Sequence, residues 1–239
     1  MTFDYAHKLL ADAVQHRGWL GEDPSDPSSV QAMQIALCIP KNDPPSRNDI
    51  LVAAARAVVA ACLKEDGDET YYDALKNWYA HRIRKVARRA RNSGWDNVQK
   101  LAGVTEDHNG AQARAFQPSA VGAVDPLIRK RQISGTDLPH HDCEAPDPNI
   151  PVIYVDRSLN MSAGKTAAQV GHGSMLLAGS MSLERARQWR DQGYPLSVRE
   201  IPRNEFAGFV DAPGAVTIRD AGYTEIAPGS VTVVALDCA

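Results

Sequence analysis

Lys165, Gln169 and His172 stand at i, i+4 and i+7, a spacing that puts an ammonium, an amide and an imidazole on one face of a helix. Such a set can hold an anion, stabilise charge developing on an oxygen and relay a proton. The flanking residues mark a helix start. A strand-like apolar run over 151–155 leads in, Ser162 is a good N-cap, and small or strongly helix-forming residues follow. A helix over 162–178 is expected. Its first turn carries backbone N–H groups at the positive end of the helix dipole, and Gly164-Lys165 sets a cation beside them, which makes an anion site. Ala167, Val170, Gly171, Ser174 and Ala178 form the opposite face, small enough for the helix to lie close on a sheet. Of a G-x-x-x-x-G-K-[ST] loop only Gly164-Lys165-Thr166 is present, so nucleotide hydrolysis is a poor reading. A surface helix with a solvated Lys and Gln fits the spacing equally well.

A second stretch shifts that balance. Val216-Thr-Ile-Arg-Asp220-Ala-Gly-Tyr-Thr224-Glu-Ile-Ala-Pro-Gly-Ser-Val-Thr232 places an Asp at a strand end, a Gly-containing turn and a second strand. Read alone, Asp220 is either a reactive carboxylate or a turn-forming residue before Ala221-Gly222. Together the two stretches resemble the type-2 peptidyl-tRNA hydrolases, which carry G-K-x-A-A-Q-x-x-H after a first strand and D-A-G-x-T-x-I-A-P-G-[ST]-x-T near the C-terminus. The resemblance covers 150–239. Three positions differ from the family's usual residues: Tyr223 replaces a basic residue, Glu225 a Gln, and Ser230 a Thr that is common there.

The resemblance implies an enzyme that cleaves the ester between peptide and tRNA, with tRNA as partner and no cofactor or metal. It implies Lys165, Asp220 and Thr224 as catalytic residues, with Gln169, His172 and Thr232 supporting them. Lys165 would stabilise the oxyanion or the terminal phosphate, and Asp220 would orient the water. The sequence has no Ser-His-Asp order, and Cys238 has no evident partner, so direct attack by water is favoured over a covalent nucleophile. His172, a further turn along the helix, fits a supporting role better than a general base. Tyr223 either stacks on a base or packs. A non-catalytic tRNA-binding or regulatory protein that kept the fold is the alternative, and a small-molecule esterase is disfavoured by the basic first half.

That basic character is hidden in the total. The net charge is −3, yet residues 33–131 hold 16 Lys and Arg against 11 Asp and Glu. Arg82, Arg84, Lys85, Arg88, Arg89 and Arg91 crowd into one short run. The run reads as a solvated face or, given a tRNA site elsewhere, as a surface that tracks phosphates. Hydrophobic content of 44% and charged content of 23% exclude a disordered chain. No apolar run approaches the ~20 residues that span a bilayer, the N-terminal residues show no basic stretch followed by an apolar one, and Cys38, Cys62, Cys143 and Cys238 lack C-x-x-C spacing. A cytoplasmic protein with reduced thiols is expected.

Two halves with one element order are predicted. After an N-terminal helix and loop (1–32), residues 33–117 read as strand 33–39, a helix from Ser46 to about Leu63, helix 70–79, the basic segment, helix 95–101 and strands 103–108 and 111–116. Asn109-Gly110 is a hairpin turn. Residues 150–239 read as strand 151–156, helices 162–178 and 182–191, strand 196–201, helix 203–211 and strands 215–220 and 230–237. Trp78 matches Trp189, Val86 matches Val198, and Val104-Thr105 matches Val216-Thr217, as an internal duplication would leave them. With Ser46 on Ser162, Lys165 becomes Asp49, Gln169 becomes Ala53 and His172 becomes Arg56, so the first copy keeps a capping box but loses the reactive face. The expected fold is α/β: two related units, each a mostly four-stranded mixed sheet with helices on its faces, plus the N-terminal helix. The units would pack as a pseudo-dimer within one monomer, or the chain would form a homodimer. Residues 118–149, rich in Pro and Asp, read as a linker on the surface with at most a short helix near 125–133. Its His140, His141 and Cys143 are adjacent rather than spaced as zinc ligands are.

Overall fold

The computed structural model describes residues 2–15, 20–140, 145–220 and 225–238. Helix α1 (Phe3–Gln15) precedes a first unit of β1 (Gln31–Cys38), α2 (Arg47–Cys62), α3 (Glu69–Tyr79), β2 (Arg84–Ala90), α4 (Ser93–Val98), β3 (Gly103–His108), β4 (Ala111–Phe116) and the short β5 (Ser119–Ala120). A connecting stretch contains α5 (Pro126–Arg129). The second unit follows with β6 (Val152–Asp156), α6 (Ala163–Ser180), α7 (Leu183–Asp191), β7 (Ser197–Ile201), α8 (Arg203–Val210), β8 (Val216–Arg219) and β9 (Val231–Leu236). The expected α/β architecture holds in both halves.

The two sheets share one topology. Strand order is β2-β1-β4-β3 in the first, with β5 added beside β1, and β7-β6-β9-β8 in the second. In each, the first pair is parallel and the others antiparallel. The Asn109-Gly110 turn has positive φ at both residues, 52° and 82°, as a two-residue hairpin between twisted strands needs. Both tryptophans repeat one contact: Trp78 Nε1 donates to the Arg84 carbonyl at 3.0 Å and Trp189 Nε1 to the Pro195 carbonyl at 2.7 Å. One predicted match needs correction. Ala87 pairs with Ile35 and Val198 with Ile153, and all four side chains face the core. Val198 therefore corresponds to Ala87 and not to Val86, since a one-residue slip would turn the strand's core face outward. By the same alignment Lys85 corresponds to Leu196.

The helices α2 and α6 meet at the centre, between the two sheets. Each therefore buries nearly its whole circumference rather than one stripe. Their contact explains the small residues of α6. A side chain on Gly171 would come within 2.8 Å of Val58 on α2, and Ser174 Oγ donates to the Ala55 carbonyl at 2.7 Å. The small face predicted to rest on a sheet thus lies partly on a helix, while Gly173 is the residue that meets the sheet at Ile153 and Ala235. Helix α1 braces the pair: a side chain on Gly179 would strike Val14 and Leu10, and His7 Nε2 meets the Ala178 carbonyl at 3.1 Å.

The connecting stretch is less superficial than predicted. Arg89 N–H donates to the Gln132 carbonyl at 2.7 Å, extending the edge of β2, and Thr136 and Leu138 are buried. Arg47, at the start of α2, is 2% exposed. Its guanidinium donates to both carboxylate oxygens of Glu200 (2.8 and 2.9 Å), to the Met161 carbonyl (2.8 Å) and to Thr166 Oγ1 (3.0 Å). Removing one member of such a pair leaves the other charge buried and uncompensated. Arg47→Met should therefore cost about 3–5 kcal/mol in urea unfolding, and adding Glu200→Gln should recover part of the loss. A loss within ±0.5 kcal/mol would show that the pair does not join the units.

Candidate functional site

Helix α6 begins as predicted, with Ser162 Oγ accepting from Lys165 N–H at 3.2 Å. Its N-terminus is, however, already occupied. The Glu225 carboxylate accepts from Ser162 N–H at 2.8 Å and from Ser162 Oγ at 2.7 Å, and Thr136 Oγ1 accepts from Gly164 N–H at 3.1 Å. A carboxylate belongs there physically, because it meets unpaired N–H groups at the positive end of the dipole. The anion site expected at the first turn is thus filled by the protein itself. Sequence reasoning missed both Thr136, which no local pattern marks, and Glu225, whose departure from the family's Gln was the available signal.

Beside this helix start, two side chains of α6 converge on Asp220. Lys165 Nζ donates to Asp220 Oδ2 at 2.6 Å, and Gln169 Nε2 donates to the same oxygen at 2.6 Å. Gln169 Oε1 in turn accepts from Thr232 Oγ1 at 2.7 Å. Thr232 is aimed by an irregularity in the sheet: Ile218 pairs with Val233 but Arg219 with Val231, so Thr232 is the extra residue of a bulge on β9. Asp220 sits just past β8, with its own N–H donating to the Ser230 carbonyl at 2.9 Å and its carbonyl accepting from Gly229 N–H at 2.7 Å. Both of its main-chain groups are therefore pinned while the carboxylate takes two side-chain donors. Lys165 and Asp220 are 12% and 9% exposed at their side chains, and Gln169 and Thr232 are buried. The chain Thr232 to Gln169 to Asp220 to Lys165 fixes a cation and a carboxylate side by side.

This group opens into a cleft of about 660 Å³ between α6, β8 and the first unit's β2. His172 lines it, half-buried, with Nδ1 2.9 Å from Lys85 Nζ. Burial pushes the Lys85 ammonium down to about 7. Thr224 and Tyr223 lie outside the described residues, as do His141 and Cys143. His140 Nδ1 stands 3.1 Å from Glu200 Oε2.

The basic run is a strand, and its side chains leave in alternate directions. Arg82, Arg84 and Lys85 line the cleft, and Arg82 and Arg84 both pair with the buried Glu22. Arg88 lines an adjoining cleft of about 820 Å³, which meets the first at Ser162 and Glu225. Its guanidinium donates to Gln34 Oε1 at 2.8 Å and to the Arg131 carbonyl at 3.1 Å. Arg89 donates to the Gly135 carbonyl at 3.0 Å and to Gln132 Oε1 at 2.7 Å, so it holds the connecting stretch. Arg91, half-buried at the strand's far end, lines neither cleft. The six cations do not form one continuous face.

The first unit's counterpart is closed by its own charges. Asp49 Oδ1 accepts from Asn109 Nδ2 at 3.0 Å, and Arg56, where His172 stands in the second copy, pairs with Glu106 at 2.8 Å. Ser46 Oγ donates to Asp49 Oδ2 at 2.5 Å and accepts from Asp49 N–H at 3.1 Å, the predicted cap.

The linkage through Gln169 can be tested by a near-isosteric change. Thr232→Val removes the donor to a buried amide oxygen and should cost about 1–3 kcal/mol in urea unfolding, while Thr232→Ser should stay close to wild type. Equal stability of both variants would mean that the Thr232–Gln169 bond contributes nothing.

Residues 150–239 match the family model described as peptidyl-tRNA hydrolase PTH2. A protein from Thermoplasma volcanium named peptidyl-tRNA hydrolase is 32% identical over 94 residues, which are 36% of this chain and 80% of that protein. Those of Thermoplasma acidophilum and Sulfurisphaera tokodaii, with the same name, are 34% and 33% identical over 36% of this chain and 80% and 81% of their own lengths. The matched region contains α6, β8 and β9, and with them Lys165, Gln169, Asp220 and Thr232. Through its second unit, the chain belongs to the peptidyl-tRNA hydrolase PTH2 family.

Proposed function

We propose that this chain hydrolyses peptidyl-tRNA in the cleft between α6 and β8, releasing the peptide and a reusable tRNA. The observation that carries the reading is the convergence of Lys165 and Gln169 on Asp220 at the mouth of an open cleft, with Thr232 holding Gln169 in place. A tRNA-binding protein without activity needs cations but has no use for a carboxylate held beside an ammonium, so the catalytic reading is favoured.

Ester hydrolysis needs an oriented water and a donor for the oxyanion. Asp220, anchored through Oδ2, orients the water and takes its proton as oxygen attacks the ester carbonyl. An ammonium has three rotatable donors, so Lys165 can keep Asp220 in place and stabilise the carbonyl oxygen as charge develops there. The acyl–oxygen bond then breaks, and the proton passes to the departing ribose oxygen. Gln169 and Thr232 keep the carboxylate from rotating, and Thr224 is a further catalytic residue.

Arg82 and Arg84 take the phosphates next to the ester, with Arg88 continuing the path into the adjoining cleft, where it flanks the substrate. Arg89 serves the fold instead. Tyr223 meets the terminal bases. No helix among the described residues is long and apolar enough to cross a membrane, and we place the enzyme in the cytoplasm as a monomer whose halves form a pseudo-dimer.

Release of labelled N-acyl-amino acid from purified peptidyl-tRNA is the direct assay. Lys165→Ala and Asp220→Asn should each slow it by about 10²-fold or more with the fold intact. Near-normal turnover in either variant would remove that residue from the mechanism. Arg82→Ala should raise KM for peptidyl-tRNA and lower the salt slope by about 0.7–1 for the lost phosphate contact, with kcat unchanged. On a short N-acyl-aminoacyl ester that ends before the phosphates it should have no effect. An unchanged KM and salt slope on full-length tRNA would leave Arg82 only its pairing with Glu22.

A further inference from the structure

The cleft of the second unit has a wall from the first, and one residue of that wall touches the reactive face. Lys85 runs its stem past Gly171, where an added side chain would meet Lys85 Cδ at 3.4 Å, and sets Nζ 4.9 Å from the ring centre of the buried Trp78. From there Nζ reaches His172 Nδ1 at 2.9 Å. The approach is built from three elements: β2 carries the lysine, α3 supplies the aromatic face, and α6 supplies the histidine.

An ammonium has donors and no acceptor. A contact of this length therefore has Lys85 Nζ–H donating to the Nδ1 lone pair, which leaves the single proton of a neutral imidazole on Nε2. An imidazolium would set two cationic donors against each other. We propose that Lys85, from the first unit, is a positioning residue of the second unit's active site: it holds His172 as the Nε2–H tautomer, so that His172 donates a hydrogen bond to the substrate instead of accepting the proton of water. The inference rests on the hydrolytic reading above for what the donor is used for, but not for the tautomer itself. Burial pushes Lys85 down to about 7, so this arrangement of donor and acceptor belongs to pH values below that, where the ammonium predominates. The duplication agrees, since a buried leucine, Leu196, stands at the position corresponding to Lys85 in the other copy.

The tautomer can be read without any assay of activity. In full-length protein labelled with ¹⁵N-histidine, at pH 6, the His172 signals, assigned by their loss in His172→Gln, should show an unprotonated Nδ1 and a protonated Nε2. Lys85→Met, which keeps most of the stem, should convert His172 to a mixture of forms that titrates near the ordinary histidine value of about 6.5. A proton on Nδ1 in the wild type, or an unchanged His172 in Lys85→Met, would overturn the proposal. Kinetics on the short ester add a second readout. Lys85→Met should lower kcat by roughly 10-fold, with KM little changed, Lys85→Arg should restore part of it, and in a His172→Gln background Lys85→Met should change nothing further. Additive losses would mean that Lys85 acts on the substrate directly and not through His172. A wild type that fails to hydrolyse peptidyl-tRNA would sink the functional reading while the NMR result still decides the role of Lys85.

Discussion

A guanidinium that is out of water must find its hydrogen bonds in the protein, and Arg47 finds them on β7, at the start of α6 and in the connecting stretch at Leu138. Glu200 on β7, the main chain at Met161 and the hydroxyl of Thr166 on α6 all turn toward it. Met161 precedes the cap of α6, so the start of the reactive helix is tied to the start of its structural counterpart. The geometry is demanding: Nε and Nη2 make a bidentate pair with the carboxylate, and Nη2 also serves a carbonyl and a hydroxyl. Burying this pair stabilises little in itself, but it permits one arrangement of α2 against α6. The cleft depends on that arrangement, because its far wall is a strand of the other unit.

Much of the fold could be read from residues alone. Ser46 and Ser162 each announced a helix, Asn109-Gly110 announced a hairpin, and the two tryptophans announced the repeat. These signals are local: a cap or turn is decided by a few adjacent residues. The reactive face was legible for the same reason, since Lys165 and Gln169 share one helix and Asp220 lies in a motif. What could not be read required knowing which element lies against which. Val86 looked like the partner of Val198 because valines resemble each other in sequence, whereas the pairing of Ala87 with Ile35 is a property of the sheet. The basic run looked like one surface because charges in sequence are counted without regard to the alternation of a strand. Arg89 shows the consequence, donating to Gly135 and Gln132 where a phosphate contact was expected.

The same limit explains the helix N-terminus. Sequence shows which N–H groups a first turn leaves unpaired, but not that Glu225 from a distant turn and Thr136 from the connecting stretch arrive to take them. Both contacts tie down the entry to α6, and the Lys165 side chain pairs with Asp220 beside them. The apparent linker is thus part of the frame around the site.

The correspondence of Lys85 with Leu196 bears on why two copies share one chain. In a dimer of identical subunits every residue occurs twice, so a lysine introduced to serve one cleft must serve the other as well, with the cost of desolvation incurred at both. Joined copies are released from that obligation. One position can hold a cation and the other a leucine, and a histidine on one central helix can be answered by an arginine on the other. Asymmetry of this kind lets half of a molecule give up reactivity altogether and become the wall, the brace and the charge of a site it no longer contains.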